Sequence, residues 1–397
     1  MNPTQIITKT RITSIDFLRG AIMIIMALDH VRDYLYSGSF YYDPLDLTKT
    51  SGILFFTRWI THFCAPIFLL LAGTSAYLIG QKKTKSELSI FLVKRGLWLV
   101  LLEMLVVNLG WNFNLTFPML FFITIWALGV SMIILAALIH LPMKLILALS
   151  LIVICGHNLF DGIHVPGNTL PAFGWSLLHD QQFFTWHHEV LLVGYPLVPL
   201  FAVMSLGYCV GELYGSGYDA EKRKRILIIA GGSALVLFIL LRFSNIYGDP
   251  VKWGEQKDAF FTFLSFIKVN KYPPSLLYLL LTLGFALLFL GFTERLQNGV
   301  VKVVSVYGRV PMFYYLIHIY IIHLIAMISS ALKHGQNWHI WLLQKPIWFT
   351  TDLKGYGFSL PVAYLIWIAI VAGLYPLCKQ YDAYKQSNKD KWWLSYL

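Results

Sequence analysis

Ten mainly apolar stretches follow one another along the 397-residue chain, separated by short polar connections. A helix of roughly 20 such residues crosses the hydrocarbon core of a bilayer, which is about 30 Å thick. Several stretches contain Pro or Gly, which membrane helices tolerate because neighbouring groups satisfy the freed backbone. The predicted spans cover residues 13–36, 53–79, 89–110, 117–139, 141–160, 190–213, 226–246, 274–291, 303–330 and 358–377.

The composition agrees with a membrane protein. Apolar residues make up 57% of the chain and charged residues 13%, whereas soluble domains contain about 45–50% and about 25%. The same values exclude disordered, collagen-like, coiled-coil and disulfide-rich classes. The four cysteines lie in or beside apolar runs, so we expect small buried side chains there. The predicted fold class is an all-α polytopic membrane protein with one domain over residues 1–397.

The net charge of +11 predicts topology rather than a nucleic-acid partner. The basic residues are dispersed between apolar blocks, whereas nucleic-acid binding needs them clustered on a soluble face. Lys and Arg are more frequent in the connections that lie on the side of the N-terminus. The positive-inside rule therefore places both termini in the cytoplasm. We expect a multi-pass protein of the inner cell membrane.

The first span carries ionisable side chains at bilayer depth, where each costs at least about 2.5–3.5 kcal/mol. Arg19 and His30 are close to three helical turns apart, so they share a face about 16 Å apart along the axis. Asp16 and Asp33 fall on the same stripe, and Asp29 lies on a neighbouring face. The stripe predicts a water-accessible passage with a cation near the cytoplasmic end and an imidazole near the outer end. The alternative is a set of ion pairs within the helix and a hydrogen-bonded interior histidine.

Two further spans offer polar faces. Arg58 and His62 stand at i and i+4 in the second span, which a short connection makes a neighbour of the first. In the ninth span, Tyr315 and His318 fall on a broad common face, and His323 lies on a different one. For each of these residues, helix packing is the alternative to a role in a site.

Charged residues of other spans are expected to have structural roles. Glu103 lies more than two turns beyond Lys94 and Arg95 in the third span, and we expect it to form an interhelical ion pair. We expect Arg242, near the end of the seventh span, to extend its head group toward the membrane surface.

The connection 161–189 contains His164, His179, His187 and His188. Histidine clusters suggest a metal, but neither an H-E-x-x-H nor a C-x-x-C spacing is present. We therefore expect a hydrated outer loop and no metal.

A family resemblance follows from several segments taken together. Arg19-x10-His30, within Ser-Ile-Asp-Phe-Leu-Arg-Gly at 14–20, resembles the first-helix signature of integral-membrane acyltransferases. The sequence is most similar to the bacterial branch of the heparan-alpha-glucosaminide N-acetyltransferase catalytic-domain family. The further similar segments are 60–68, 195–199, 241–250, 271–275, 308–311 with His318, and 391–396.

The resemblance implies an acyl-CoA donor, acetyl-CoA by default, that enters from the cytoplasmic side. It also implies a sugar-type acceptor from the opposite side, whose hydroxyl or amine is acylated. One departure concerns the base: the lysosomal enzyme's catalytic histidine lies in the loop after the first helix, whereas residues 37–52 contain no histidine. His30 matches the signature of the wider superfamily instead. The acceptor, the acyl chain length and the oligomeric state stay open, a homo-oligomer included.

Acyl transfer needs a general base, and a neutral imidazole has a suitable intrinsic pKa. The predicted catalytic residues are His30 as base, Asp33 as its orienting group and His62 as the alternative base. Direct transfer and a covalent acyl-histidine intermediate both stay open. The predicted donor-binding cations are Arg19, Arg58, Lys94, Arg95 and Arg309. The predicted hydrogen-bond donor to the thioester oxyanion is Arg58 or Tyr315. Asp29, Tyr315 and His318 are the predicted acceptor-binding residues.

Two non-enzymatic functions are the alternatives. A transporter of a small anionic or sugar-like solute would also place charges inside the membrane. Transporters often contain inverted repeats and paired broken helices, and neither is visible in the sequence. A scaffold or lipid-binding module would bury the same polar residues without a cavity.

Overall fold

The structure, a computed structural model, describes residues 12–186, 189–334, 338–347, 350–391 and 394. His187, His188 and most of the segment 391–396 lie outside these residues. The helices are α1 Thr13–Leu35, α2 Gly52–Trp59, α3 Cys64–Gly80, α4 Lys85–Leu102, α5 Asn108–Asn112, α6 Thr124–Leu138, α7 Met143–Gly156, α8 Leu170–Leu178, α9 Leu197–Glu212, α10 Ala220–Ser244, α11 Ala259–Ile267, α12 Leu276–Phe292, α13 Gly299–Arg309, α14 Pro311–His334 and α15 Leu360–Ser387. The strands are β1 Met119–Phe122, β2 Gln182–Trp186 and β3 Glu189–Val193.

Every predicted span contains a helix. Five helices of the described chain are long and apolar enough to cross a membrane, and three shorter apolar helices accompany them. The long helices are Gly52–Gly80, Met143–Phe160, Ala220–Ser244, Pro311–Leu332 and Leu360–Ser387; the shorter ones are Thr124–Leu138, Leu197–Glu212 and Leu276–Phe292. The remaining two predicted spans correspond to α1 and α4, both of which carry charged residues. The prediction of an all-α, multi-pass membrane protein is confirmed.

Helix α1 lies among the other helices and packs against α3, α13, α14 and α15. Its approach to α13 is set by two glycines. A Cβ atom on Gly20 would lie 2.0 Å from the carbonyl oxygen of Val304, and one on Gly308 would lie 1.9 Å from that of Asp16. The two backbones therefore touch, as small residues allow between membrane helices.

The ninth predicted span is two helices rather than one. Helix α13 ends at Arg309, and α14 begins at Pro311. Proline has no N–H to continue a helix, but its fixed φ suits the first helical position. The break therefore separates Arg309 from the Tyr315 and His318 face.

Two predicted spans begin with strands rather than helix. The fourth span starts with β1 and the sixth with β3, which form a sheet in the order β1-β3-β2. Strand β3 runs parallel to β1 and antiparallel to β2, with Phe122 opposite Val193 and Phe184 opposite Leu191. Short apolar runs do not distinguish strand from helix by periodicity, so this sheet could not be predicted from the sequence.

Glu103 and Arg242 take roles other than those expected. The Glu103 carboxylate accepts the backbone N–H groups of Ile125 and Trp126 at 2.8 and 3.0 Å, and so caps α6. The ion pair expected for Glu103 was wrong.

The expectation that Arg242 extends to the membrane surface was also wrong, since only 1% of the residue is exposed. Its guanidinium donates to the carbonyls of Phe266 and Val251 at 2.8 Å each, and to that of Ser265 at 3.0 Å. These carbonyls compensate the buried charge and hold the connection 245–275 against α10.

Candidate active site

A cavity of about 730 Å³ lies at the end of the bundle at which α1 terminates, which is the outer end in the predicted topology. Its wall combines α1, the turn after it, the α2–α3 junction, residues of 181–183 and 192–195, Lys271 and Tyr272, and Tyr315 of α14. The exposed Tyr41 and the charged Asp43 and Lys354 lie on its outer side. The volume is within the range of about 300–1,000 Å³ that small-molecule sites occupy.

The deepest polar feature of this cavity is a pair of histidines from α1 and α14. His30 lines the cavity, and its Nδ1 atom lies 2.8 Å from Nε2 of the buried His318. The Nδ1 atom of His318 lies 2.8 Å from the carbonyl oxygen of Tyr314. A carbonyl oxygen only accepts, so Nδ1 of His318 carries a proton.

This hydrogen bond determines the tautomers of the neutral pair. Because Nδ1 of neutral His318 is protonated, its Nε2 is an acceptor, and His30 must donate to it from Nδ1. The Nε2 atom of neutral His30 then keeps its lone pair. That nitrogen is the one atom of the pair able to accept a proton from a substrate.

Beside His30, two arginines share one carboxylate. Asp29 lies 2.6 Å from Nη1 of Arg58 and 2.8 Å from Nη1 of Arg32. Arg32 also contacts Asp33, with 2.5 Å between Nη2 and Oδ1. Asp33 is therefore engaged by Arg32, and the orienting partner of His30 is His318 rather than the predicted Asp33. The network fixes four ionised groups at the cavity wall and joins α1 to α2.

A lysine and two tyrosines form another part of the wall. Lys271 is 7% exposed, and its Nζ atom lies 5.1 Å from the ring centre of Tyr272 and 6.0 Å from that of Tyr195. No carboxylate of the described residues lies within salt-bridge distance of Lys271. Burial alone would raise the pKa of Tyr272, but the Lys271 and Arg58 cations outweigh it, so the pKa is lowered. This part of the cavity is electropositive.

The connection 245–275 positions Lys271 through buried polar contacts. Asp249 accepts the N–H of Asn270 and the hydroxyl of Ser275, each at 2.8 Å. Burial raises the pKa of Asp249, although these hydrogen bonds oppose the shift. Together with Arg242, Asp249 fixes the backbone on both sides of Lys271.

Five of the predicted site residues therefore meet at one cavity: Asp29, His30, Asp33, Arg58 and Tyr315. His318 stands directly behind His30. His62 is buried outside the cavity lining, and neither of its ring nitrogens has a hydrogen-bond partner among the described residues. Its carbonyl accepts the hydroxyl of Tyr278 at 2.7 Å.

Arg19 lies toward the opposite, inner end of α1. Its guanidinium donates to the Ser75 hydroxyl at 2.9 Å and to the Gly308 carbonyl at 3.1 Å. Along α1 the described cavity wall extends inward only to Met26. The predicted passage from Arg19 to His30 is therefore closed in this structure, with the buried Met23 between the two ends.

The remaining predicted donor-binding cations are separate from the cavity. Arg309 donates to Asp382 of α15 at 2.7 Å, where α13 ends. Lys94 is exposed and Arg95 half-buried, both in the middle of α4.

Sequence reasoning missed Lys271, Tyr272 and Tyr195, which also line the cavity. Lys271-Tyr-Pro-Pro and Tyr195-Pro are among the segments that carry the family resemblance, and this was the available signal. Lys271 and Tyr272 were given no role because they lie in a connection outside the predicted helical faces.

Two comparisons with known proteins bear on this site. A search of curated proteins finds no significant match. The sequence profile of the family described as heparan-alpha-glucosaminide N-acetyltransferase, catalytic, matches residues 11–242. The matched part exceeds half of the chain and contains Arg19, His30 and Arg58. The chain therefore belongs to the heparan-alpha-glucosaminide N-acetyltransferase catalytic-domain family of transmembrane acetyltransferases.

Proposed function

We propose that the protein transfers an acetyl group from acetyl-CoA to a hydroxyl or amine of a sugar-type acceptor bound in the outer cavity. His30 is the general base. The observation that carries the proposal is the His30–His318–Tyr314 hydrogen-bond chain, because it leaves Nε2 of His30 unprotonated at the cavity wall.

A single base is sufficient for both proton transfers of this reaction. Nε2 of His30 takes the proton of the acceptor group as its oxygen or nitrogen attacks the thioester carbonyl. The C–S bond of the tetrahedral intermediate then breaks, and the proton passes from His30 to the leaving thiolate. Developing charge on the carbonyl oxygen needs a fixed donor, and we assign this role to Arg58, with Tyr315 as the alternative.

The acceptor side of the proposal rests on the lining of the cavity. Aromatic rings of Trp111, Tyr195 and Tyr272 provide flat apolar faces, while Asp29, Arg58 and Lys271 provide charged hydrogen-bonding groups. Specific small-molecule sites combine such apolar area with a few fixed polar groups. A pyranose ring has one apolar face and polar edges, so it fits this lining.

The donor side rests on Arg19 and on the predicted orientation. In the predicted orientation the protein spans the inner membrane with both termini in the cytoplasm. Arg19 then lies near the cytoplasmic side, where acetyl-CoA is present. A guanidinium binds phosphate oxygens through paired hydrogen bonds. The acyl-pantetheine arm then extends along α1 toward His30. This requires side chains such as Ile22 and Met23 to move, since both are buried in the closed structure.

The test uses the full chain, purified and placed in lipid nanodiscs. Acetyl-CoA is supplied with D-glucosamine as an amine probe or methyl α-D-glucoside as a hydroxyl probe, and thiol release and acetylated sugar are measured. We expect His30→Gln to lower the rate by at least about 100-fold, the usual contribution of a general base. His140→Gln, an exposed histidine at the inner end, is the matched control and should retain activity.

Undiminished activity of folded His30→Gln would overturn the assignment of the base. Labelling of the protein itself by radioactive acetyl-CoA would favour the acyl-histidine route over direct transfer. Proteoliposomes separate the enzyme from the transporter: uptake of unmodified D-glucosamine without acetyl-CoA would contradict the proposal. Donor access from the cytoplasmic side is tested by comparing inverted with right-side-out vesicles.

A further inference from the structure

Outside the cavity, three side chains with metal-binding atoms converge at the outer end of α7. They are His157 just after α7, Asp161 one turn later, and His179 at the end of α8. The carboxylate oxygen Oδ1 of Asp161 lies 3.0 Å from Nε2 of His179. One ligand atom from each residue lies within 4.8 Å of the other two.

The described neighbours of His157 do not account for the burial of its polar imidazole ring. The residue is 1% exposed, and neither ring nitrogen has a hydrogen-bond partner among the described residues. Buried polar atoms are almost always paired, and an orphaned buried nitrogen costs free energy. The Nδ1 atom of His179 is likewise buried and unpartnered within the described chain. A bound cation at the centre of the cluster would satisfy His157.

The second carboxylate oxygen of Asp161 is held in place from outside the cluster. Asn158 donates from Nδ2 to Oδ2 of Asp161 at 2.7 Å, which leaves Oδ1 turned toward His179. Metal ligands commonly have such an outer hydrogen-bonding partner that orients them. The carboxylate is therefore oriented for monodentate coordination through Oδ1.

We propose that His157, Asp161 and His179 bind a divalent transition-metal ion, preferentially zinc, with water as the fourth ligand. Two imidazoles and one carboxylate suit zinc, whose bonds to such atoms are about 2.0–2.1 Å and whose ligand atoms lie about 3.3–3.5 Å apart. A small inward movement of His157 completes this geometry. The Asp161 side chain, 19% exposed, gives water access to the open position.

The position of the site indicates a structural role. The site joins the end of α7 to the end of α8. Its ligand His179 lies two residues before Gln181, which lines the cavity. Asn158 also accepts the N–H of Leu276 at 2.8 Å, at the first residue of α12. The ion would therefore tie three helices together where they support the outer cavity wall. None of the three ligands lines the cavity, so the inference is independent of the proposed reaction.

The absence of a recognisable sequence spacing explains why we expected no metal. His157 belongs to the fifth predicted span, whereas His179 lies in the connection that follows it. Only the turn after α7 and the short helix α8 bring them to the same carboxylate.

The experiment is metal analysis of the full purified chain in detergent. The protein is stripped with EDTA, loaded with zinc sulfate, passed through a desalting column and measured by inductively coupled plasma mass spectrometry. We expect one zinc per chain in the wild type and loss of bound zinc in His157→Phe and His179→Gln. His164→Gln is the matched control from the same connection, since His164 is 68% exposed and pairs with Asp180.

A spectroscopic measurement keeps the proposal testable if these variants fold poorly. Cobalt(II) loaded into the stripped wild type should give visible absorption of four-coordinate cobalt, which zinc then abolishes. Zinc should raise the melting temperature of the wild type and of His164→Gln but not of His157→Phe. Wild-type protein that holds neither zinc nor cobalt after desalting, or folded ligand variants that hold one zinc per chain, would overturn the proposal.

Discussion

The imidazole rings of His30 and His318 lie parallel to within 1°, and 2.8 Å separates Nδ1 of the first from Nε2 of the second. They come from α1 and α14, 288 positions apart in the chain. In a catalytic triad an acid orients the base through the same ring nitrogen. Here a neutral imidazole, itself fixed by a backbone carbonyl, orients His30.

In the proposed reaction His318 is a positioning residue, so the expected effect of a substitution depends on whether the new side chain can accept the same hydrogen bond. His318→Leu removes the acceptor for the Nδ1–H of His30, so we expect kcat to fall by about 10–100-fold. His318→Gln offers an amide oxygen to the same N–H and should restore part of the rate. Steady-state kinetics with acetyl-CoA check this, and the KM for acetyl-CoA should stay unchanged. Equal activity of the two variants would contradict the orienting role.

Arg19 is predicted to act on the donor. Arg19→Ala removes a guanidinium near the inner end of α1, so acetyl-CoA should bind more weakly, by about tenfold for the loss of a charge-assisted contact. Isothermal titration calorimetry with acetyl-CoA measures this directly. Arg295→Ala is the control, because Arg295 is an exposed inner-end arginine paired with Glu221. Unchanged acetyl-CoA affinity in Arg19→Ala would remove Arg19 from the donor site.

Lys271 is predicted to act on the acceptor. Lys271→Met keeps most of the side-chain volume but removes the cation of the cavity wall, so the KM for the sugar probe should rise while that for acetyl-CoA stays constant. Lys252→Met, an exposed lysine of the same connection, should leave both KM values unchanged. Initial-rate measurements over a range of sugar concentrations distinguish the two. A selective increase in the KM for acetyl-CoA would place Lys271 at the donor instead.

The contact between α1 and α13 is predicted to tolerate no side chain. Gly20→Ala puts a Cβ atom 2.0 Å from the Val304 carbonyl oxygen, so the helices must separate. Overpacking of this kind destabilises by about 1–3 kcal/mol. Gly232→Ala is the control, since no heavy atom lies within 4 Å of its added Cβ and helix propensity favours alanine. Thermal unfolding in detergent should show a lower midpoint for Gly20→Ala only.

The sequence predicted the helical part of this architecture well because membrane spans have a strong length and composition signal. It also predicted that the polar face of the first span belongs to a site, and His30 does line the cavity. The spacing of Arg19 and His30 does not reveal whether the space between them is open, because that depends on how the surrounding side chains pack.

Other parts of the site depend on contacts that no local pattern contains. The position of Lys271 depends on backbone carbonyls that accept hydrogen bonds from Arg242. These carbonyls belong to Ser265 and Phe266, which lie well after Arg242 in the chain. Asp33 was predicted from helical spacing to orient His30, but spacing does not show that the adjacent Arg32 engages it. The partner of His30 comes instead from α14, beyond the reach of any periodicity argument.

The cavity wall is assembled from distant parts of the chain, and this has a practical consequence. The family profile ends at Arg242, whereas Lys271, Tyr272 and Tyr315 follow it. A fragment limited to residues 11–242 would keep His30 but lack both His318 and part of the cavity wall. Annotation transfer, truncation and domain-swap engineering in this protein must therefore treat the second half of the chain as part of the active unit.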